Sequence, residues 1–402
     1  MVTEAMAIYN ARLIAGDTIL TQHTLVFDRQ IRAIFPDRTE PCRPGDRLDT
    51  PDGPVQLSDV LDAQNHYLSP GFIDLHIHGC AGSDAMDEDR EGLQQICHGL
   101  PQTGVTAFLP TTMTMAFPQV TAALQRIRRA MSATGGARIL GCHLEGPFIS
   151  ENYKGAQDAA FVRAPDYSLI APFQDAIKIV TVAPEIAGSL SFIRECTDQG
   201  ILAAIGHSGA TYEETQAALT AGAAHFTHTF NAASPFNHRS PGVTGAALDS
   251  AASCELIADN IHVHPAAQRI LLTAKGPERV ILVTDAMRAC LMGDGEFDLG
   301  GQPVTVKNGQ ARLASGVIAG SVLTLNRAVR HFIANTALDL PAAVRLVTAN
   351  PANRIGFGHC KGHLQCGYDA DLTLFDDEFH IRYTFVSGQK EYAHSEVRPC
   401  AS

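Results

Sequence analysis

Two histidines one residue apart, His76 and His78, close a short apolar run, Leu68-Ser69-Pro70-Gly71-Phe72-Ile73-Asp74-Leu75-His76-Ile77-His78-Gly79. On a strand, residues i and i+2 point to the same side, so Asp74, His76 and His78 are expected to share one face. Two neutral imidazoles side by side, with a carboxylate behind them, make half of a divalent-metal site. A His-x-His pair alone is also what two alternating core or surface histidines look like. The chemistry therefore depends on partners supplied elsewhere in the chain.

Those partners recur at the ends of apolar runs. From Pro70 to about Asn353, strand-like runs alternate with helical patterns, the texture of a parallel sheet built from βα units. The runs are Gly71–His76, Thr106–Thr112, Arg138–Glu145, Ile177–Pro184, Ile201–His207, His225–Asn231, Cys254–Asp259 and Arg279–Asp285, with helical segments such as Pro118–Met131, Tyr212–Ala221 and Pro265–Ala274 between them. Eight such units predict a TIM (β/α)8 barrel, whose active site lies at the C-terminal ends of the strands. His76 and His78 end the first run, Glu145 the third, His207 the fifth and Asp285 the eighth, and His228 lies near the end of the sixth. His143 shares parity with Glu145 and reads as an inner-layer packing neighbour. His225 and His228 differ by an odd step, so only one is expected to face inward, and His228 is nearer the strand end.

These residue types dictate a chemistry. Imidazole nitrogens and a carboxylate suit Zn²⁺ or a similar divalent ion with a position left for water. Such an ion lowers the pKa of water to about 7 and polarises a carbonyl. A free carboxylate, Asp285, is then suited to accept the water's proton and return it to a leaving amine. Metal-assisted hydrolysis of an amide is the expected reaction.

Residues 1–66 alternate apolar and polar with turns at Ala15-Gly16-Asp17 and Pro51-Asp52-Gly53, and read as short antiparallel strands. The tail regains strand character in 370–375 and 381–386. A small β-sandwich domain from both termini, 1–66 with 356–402, is expected beside a barrel of residues 67–355. A β-hairpin insertion is expected near 294–318.

The chain has 402 residues, with 42 Asp+Glu against 30 Lys+Arg, a net charge of −12. Such a surface repels nucleic acid and anionic membrane, so neither is an expected partner. The ten cysteines are scattered, with no C-x-x-C pair. No signal-type segment or span-length apolar run occurs. A reduced, cytoplasmic protein is expected.

Five motifs together resemble one family: 70–79 above, His143-Leu144-Glu145-Gly146-Pro147-Phe148, Gly206-His207-Ser208, Thr227-His228-Thr229-Phe230-Asn231-Ala232 and Thr284-Asp285-Ala286. The chain resembles the N-acetylglucosamine-6-phosphate deacetylases of the amidohydrolase superfamily over nearly its whole length. The resemblance implies that Glu145, His207 and His228 hold the main metal. It also implies that His76 and His78, with Glu145 bridging, complete a second site, giving one or two ions per subunit. Asp285 matches the family's acid/base aspartate. His262 and, across a homodimer interface, Arg239 match contacts to the sugar phosphate, and Asn231-Ala232 match backbone contacts to the ligand.

Three departures stand out. Gln157 replaces a histidine expected to help polarise the acetyl carbonyl; it still donates a hydrogen bond but carries no charge. Arg288 stands where small residues are usual and is placed to narrow or recharge the pocket. Asn260 stands where glycine is common, and tolerates φ > 0 better than most residues.

The implied substrate is a phosphorylated N-acetyl amino sugar, the glucosamine 6-phosphate derivative first, with the galactosamine epimer or another N-acyl amino sugar as the alternative. A cyclic-amide hydrolase would need a lysine ending the fourth run, whereas Lys178 lies near its start. A non-catalytic sugar-phosphate sensor would be expected to have lost ligands that this chain retains.

Overall fold

The computed structural model describes residues 3–36, 41–89 and 91–395. Eight parallel strand positions follow the expected runs: β1 Phe72–Ile77, β2 Val105–Pro110, β3 Cys142–Glu145, β4 Ile177–Val182, β5 Leu202–Ile205, β6 His225–Phe226, β7 Ser253–Ile257 and β8 Val280–Val283. β1 pairs with β2, and β3 through β8 pair in order. A Thr111–His143 bridge joins the two sets, and an Ile77–Ala286 bridge brings the exit of β8 back to β1. The sheet thus curls until its last strand meets its first.

Every residue of β1, β2, β3, β7 and β8 is buried. A parallel sheet covered on both faces has no solvent side, so its strands read as continuous apolar runs. The third run is not one strand. Arg138–Ile139 pairs with β2, while β3 begins at Cys142 beside β4. The chain bends between them at Gly141 (φ 150), where a Cβ would collide with Lys178. Helix starts are locally encoded: Thr211 caps Tyr212–Ala221 in a reciprocal box with Glu214, and Pro118 and Pro265 sit in first turns where their missing N–H costs nothing.

Thr3–Ala15 is the spine of a nine-stranded sheet drawn from both ends of the chain. It runs antiparallel to Thr18–Phe27 but parallel to Gly53–Asp62 and Tyr67–Pro70. The all-antiparallel expectation for this region is therefore corrected: the connection through 41–52 returns the chain to the spine in the same direction. Leu372–Phe375 pairs with Tyr67–Pro70, so the tail docks on the strand that leads into β1. The outermost residues, 1–2 and 396–402, lie outside the described residues, as does Cys400.

After β8, the strands Gly295–Leu299, Gln302–Lys307 and Gln310–Leu313 form an antiparallel sheet. It closes over a separate apolar cluster containing Met113, Met287, Leu299 and Val304. Among the described residues no helix is long and apolar enough to cross a membrane.

Candidate metal centre

The exits of β1, β3, β5, β6 and β8 converge on Glu145. Its Oε1 lies 3.1 Å from His207 Nε2, 3.0 Å from His228 Nε2 and 3.3 Å from His76 Nε2. Its Oε2 lies 3.3 Å from His78 Nε2. Asp285 Oδ1 stands 3.2 Å from His78 Nε2 and 3.5 Å from His76 Nε2. All six side chains expected at the strand exits are buried together.

Hydrogen bonding on the far side of the rings fixes which nitrogen faces inward. His76 Nδ1 donates to Glu255 Oε2 (2.9 Å), His78 Nδ1 to the Thr111 carbonyl (3.2 Å) and His207 Nδ1 to the Tyr153 carbonyl (3.0 Å). With Nδ1 engaged on the far side, each ring turns Nε2, the nitrogen able to ligate an ion, toward the centre. His76 Nε2 is buried with no hydrogen-bond partner, and His207 and His228 set two Nε2 atoms 3.0 Å apart. Lone pairs facing lone pairs and carboxylate oxygens across 3 Å are repulsive unless positive charge lies between them. Glu145, His207 and His228 form one compact ligand group, and His76, His78 and Asp285 a second. A tetrahedral ion with bonds of about 2.0–2.2 Å has ligand–ligand edges of about 3.4 Å, so a modest expansion of the first triangle accommodates one. The donor set fits a divalent ion.

The electrostatics agree. Burial opposes charge on His76, but Glu145, Glu255 and Asp285 outweigh it and hold the ring up to about 9. Burial likewise opposes charge on His78, and the Asp285 and Glu145 carboxylates raise it well above its usual range. Burial would push Glu145 up, but His76 and His207 hold it well below the carboxylate range. Burial would also raise Asp285, and His76 and His78 hold it down. The cage thus carries negative potential that a proton or a metal cation must meet.

Three of these residues occupy left-handed backbone: His207 (φ 48), His228 (φ 27) and Asp285 (φ 49). Such conformations cost about 1–3 kcal/mol each for non-glycine residues and persist where surroundings over-determine them. Here they turn each side chain over the mouth just beyond its strand. Asp285 is held by its N–H donating to the His76 carbonyl (2.9 Å) and its carbonyl accepting from Ser321 (2.7 Å). The backbone N–H of His228 donates to Glu255 Oε2 (3.0 Å).

Glu255 is the residue that the sequence reading missed. Fully buried on β7, it accepts from His76 and the His228 backbone, and its Oε1 accepts from His225 Nε2 (3.1 Å). The carboxylate behind His76 is therefore Glu255, while His78 is backed by the Thr111 carbonyl. Asp74 instead accepts from the Thr284 hydroxyl (2.6 Å), tying β1 to the exit of β8, and burial pushes it up to about 7. The available signal was a glutamate inside an otherwise apolar run.

His225 and His228 both face the interior, at different depths. Parity fails because β6 ends at Phe226 and the chain leaves extended geometry before His228. His143 is a packing neighbour, with one nitrogen on the Leu75 carbonyl (3.1 Å) and the other on Thr181 (2.8 Å). Burial, then the positive field of His76, pushes it down to about 3.

A cavity of about 250 Å³ opens above the cluster, lined among others by Gln157, Asn231, Ala232, His262 and Met113. His262 Nδ1 donates to Asp259 (2.7 Å), and Asn260 takes the expected positive φ of 67°. Gln157 is not a free donor: its Nε2 donates to Glu145 Oε2 (2.7 Å) and its Oε1 accepts from Thr114 N–H (2.6 Å). Arg288 does not line the cavity. It pairs with Asp87 (2.8 Å) and Asp298 (3.0 Å), because those acids lie on the loop after β1 and on the inserted sheet, outside the cavity wall. Arg239 lies in an exposed loop and is not brought to the cavity within one chain. Lys178, at the start of β4, sits over the Phe357 ring, remote from the cluster.

Residues 67–390 match the amidohydrolase family. The N-acetylglucosamine-6-phosphate deacetylase of Bacillus subtilis (strain 168) is 39% identical, covering 82% of this chain and 86% of its own. The N-acetylgalactosamine-6-phosphate deacetylase of Escherichia coli O157:H7 is 37% identical over 84% and 90% of the two chains. A Mycobacterium smegmatis N-acetyl-D-glucosamine-6-phosphate deacetylase variant, solved with N-acetyl-D-glucosamine 6-phosphate, superposes with a TM-score of 0.85 at 30% identity, covering 96% of this chain and 99% of its own. The converging ligand cage and these similarities lead to one conclusion: the chain belongs to the amidohydrolase family, among the relatives of the N-acetylglucosamine-6-phosphate deacetylases.

Proposed function

We propose that this protein hydrolyses the acetamide of N-acetyl-D-glucosamine 6-phosphate, yielding D-glucosamine 6-phosphate and acetate. The observation that carries this reading is the convergence of imidazole Nε2 atoms and the Glu145 carboxylate beside an acid/base candidate, Asp285. Glu145, His207 and His228 would hold the main divalent ion, Zn²⁺ by donor type, with His76 and His78 available for a second. When bound, the ion supplies Lewis acidity toward water and the acetamide carbonyl.

The remaining work falls to side chains. Asp285, held by its main-chain hydrogen bonds to His76 and Ser321, accepts the proton of the attacking water. It then delivers that proton to the amide nitrogen as the C–N bond breaks. Gln157 orients Glu145 by its hydrogen bond to Oε2. His262, Asn231 and Ala232 would bind the sugar phosphate at one end of the cavity, with Arg239 of a second subunit adding charge. Homodimer formation and a cytoplasmic location belong to the same reading, the latter supported by nine free cysteines among the described residues.

The architecture we assign is a TIM (β/α)8 barrel of residues 67–355 with a hairpin insertion near 294–318. A small β-sandwich domain of 1–66 and 356–402 flanks it. Support comes from the Ile77–Ala286 closure and the shared terminal sheet.

Acetate release from N-acetylglucosamine 6-phosphate, from its galactosamine epimer and from the unphosphorylated sugar tests the assignment. The glucosamine ester is expected to have the highest kcat/KM, and the unphosphorylated sugar to lose at least about tenfold, since one charge-assisted contact contributes about 1.5–3 kcal/mol. Preference for the epimer, the substrate named for the Escherichia coli relative, would replace the substrate. Equal rates without phosphate would remove the roles of His262 and Arg239.

Glu255 provides a further check. Glu255→Gln removes the charge that holds His76 Nδ1–H and the His228 backbone, and metal affinity is expected to fall about 10–100-fold. Competition against a chelating dye measures this; unchanged affinity would reduce Glu255 to a packing residue.

A further inference from the structure

We propose that Met113 and Leu299 set the length of the acyl chain that the enzyme removes, a specificity that rests on the deacetylase reading above. The order of strands around the curled sheet puts β1 and β8 between β2 and β7. Residues leaving β2 and β7 therefore stand nearly across the mouth from one another, with His78 and Asp285 between them.

The polar ligand-binding candidates gather on one side. His262 follows β7, and Asn231 and Ala232 follow β6. An N-acylated sugar phosphate that keeps its charged end there, and its amide over Glu145 and Asp285, has one remaining arm. That arm is the chain beyond the carbonyl carbon, and it points toward the exit of β2.

The wall on that side is apolar. Met113 follows β2 and Leu299 comes from the inserted sheet; each is only 2% exposed, yet both line the cavity. The turn of the inserted sheet rests on the methionine: a Cβ added at Gly300 would lie 3.2 Å from Met113 Cε. The next residue, Thr114, is pinned through its N–H to Gln157, whose amide also holds Glu145. The wall is thus tied through two hydrogen bonds to the carboxylate of the cluster, so its distance from the scissile carbonyl is fixed. It presents carbon and a thioether, which accept a methyl group and offer nothing to a charged or hydroxylated acyl chain.

The bonds made and broken are the same for any acyl group: water adds its oxygen to the carbonyl carbon, the C–N bond breaks, and the amine leaves with a proton. Among apolar acyl groups, chain length is what this wall discriminates. One methylene in an apolar pocket changes kcat/KM by about 10–200-fold.

The test compares N-acetyl- and N-propionylglucosamine 6-phosphate as substrates for the metal-loaded wild type, Met113→Ala, Leu299→Ala and the volume-conserving Met113→Leu. The propionyl-to-acetyl ratio of kcat/KM is expected to rise about tenfold or more in the alanine variants and by less in Met113→Leu. The leucine variant carries the comparison if an alanine variant does not fold. Variants that are folded and hydrolyse the acetyl substrate with an unchanged ratio overturn the gauge and leave the deacetylase reading intact. A wild type that releases no carboxylate from either amide overturns that reading, and the gauge with it.

Discussion

Asp285→Asn is expected to lower kcat on N-acetylglucosamine 6-phosphate by about 10²–10⁴-fold, the range that a positioned general acid–base group supplies. The substitution keeps the shape of the side chain and removes its ability to take a proton. The left-handed backbone at Asp285 is an argument for asparagine over alanine, since asparagine tolerates φ > 0. The hydrogen bonds from its N–H to His76 and from Ser321 N–H to its carbonyl involve only main chain at Asp285, so the loop keeps its anchor. Glu145, His207 and His228 are untouched, so metal content measured by elemental analysis is expected to stay near the wild-type value. A variant with near-normal kcat would remove Asp285 from proton transfer. A variant stripped of metal would make it a ligand first and a base second.

Glu145→Gln is expected to abolish stable metal binding and, with it, turnover. No other side chain of the cluster faces so many imidazoles: its two oxygens approach His76, His78, His207 and His228. The amide loses the negative charge and turns an NH₂ group toward either the imidazole lone pairs or the Gln157 amide, a donor facing a donor. The loss of metal affinity should exceed the about 10–100-fold that follows removal of an outer partner. Thermal unfolding gives an independent reading. Ion at about 100 times its Kd stabilises a native state by about 2.7 kcal/mol, so added Zn²⁺ should raise the wild-type Tm and leave the variant unmoved. A variant whose Tm still responds to Zn²⁺ would show that the histidines alone hold the ion, and Glu145 would lose its central place.

Much of the fold was legible because a parallel sheet covered on both faces leaves long apolar runs. All eight were found in sequence, and each strand lies within or one residue from its expected run. The helix Tyr212–Ala221 was bounded correctly because its capping box is local chemistry. The closing helices Leu340–Arg345 and Ala349–Arg354 are separated because the chain leaves helical geometry at Thr348 (ψ −86), a break that no proline or glycine at 346–348 announces.

The six chemically capable residues at strand exits were determined by the sequence alone, through residue type and spacing along each run. What the tertiary structure decided was everything that depends on how one exit faces another. Period-two parity describes a chain that stays extended, so it failed between His225 and His228, because the backbone turns left-handed at His228. Spacing cannot reveal which carboxylate meets which ring: Glu255, 179 residues from His76, lies behind it, while the nearby Asp74 bonds Thr284 instead. Nor can it tell whether a charge is spent before it reaches a pocket, as Arg288 is on Asp87 and Asp298. Hydrogen bonds and ion pairs act over about 3–4 Å of space, and only the closure of the curled sheet brings residues from distant runs within that range.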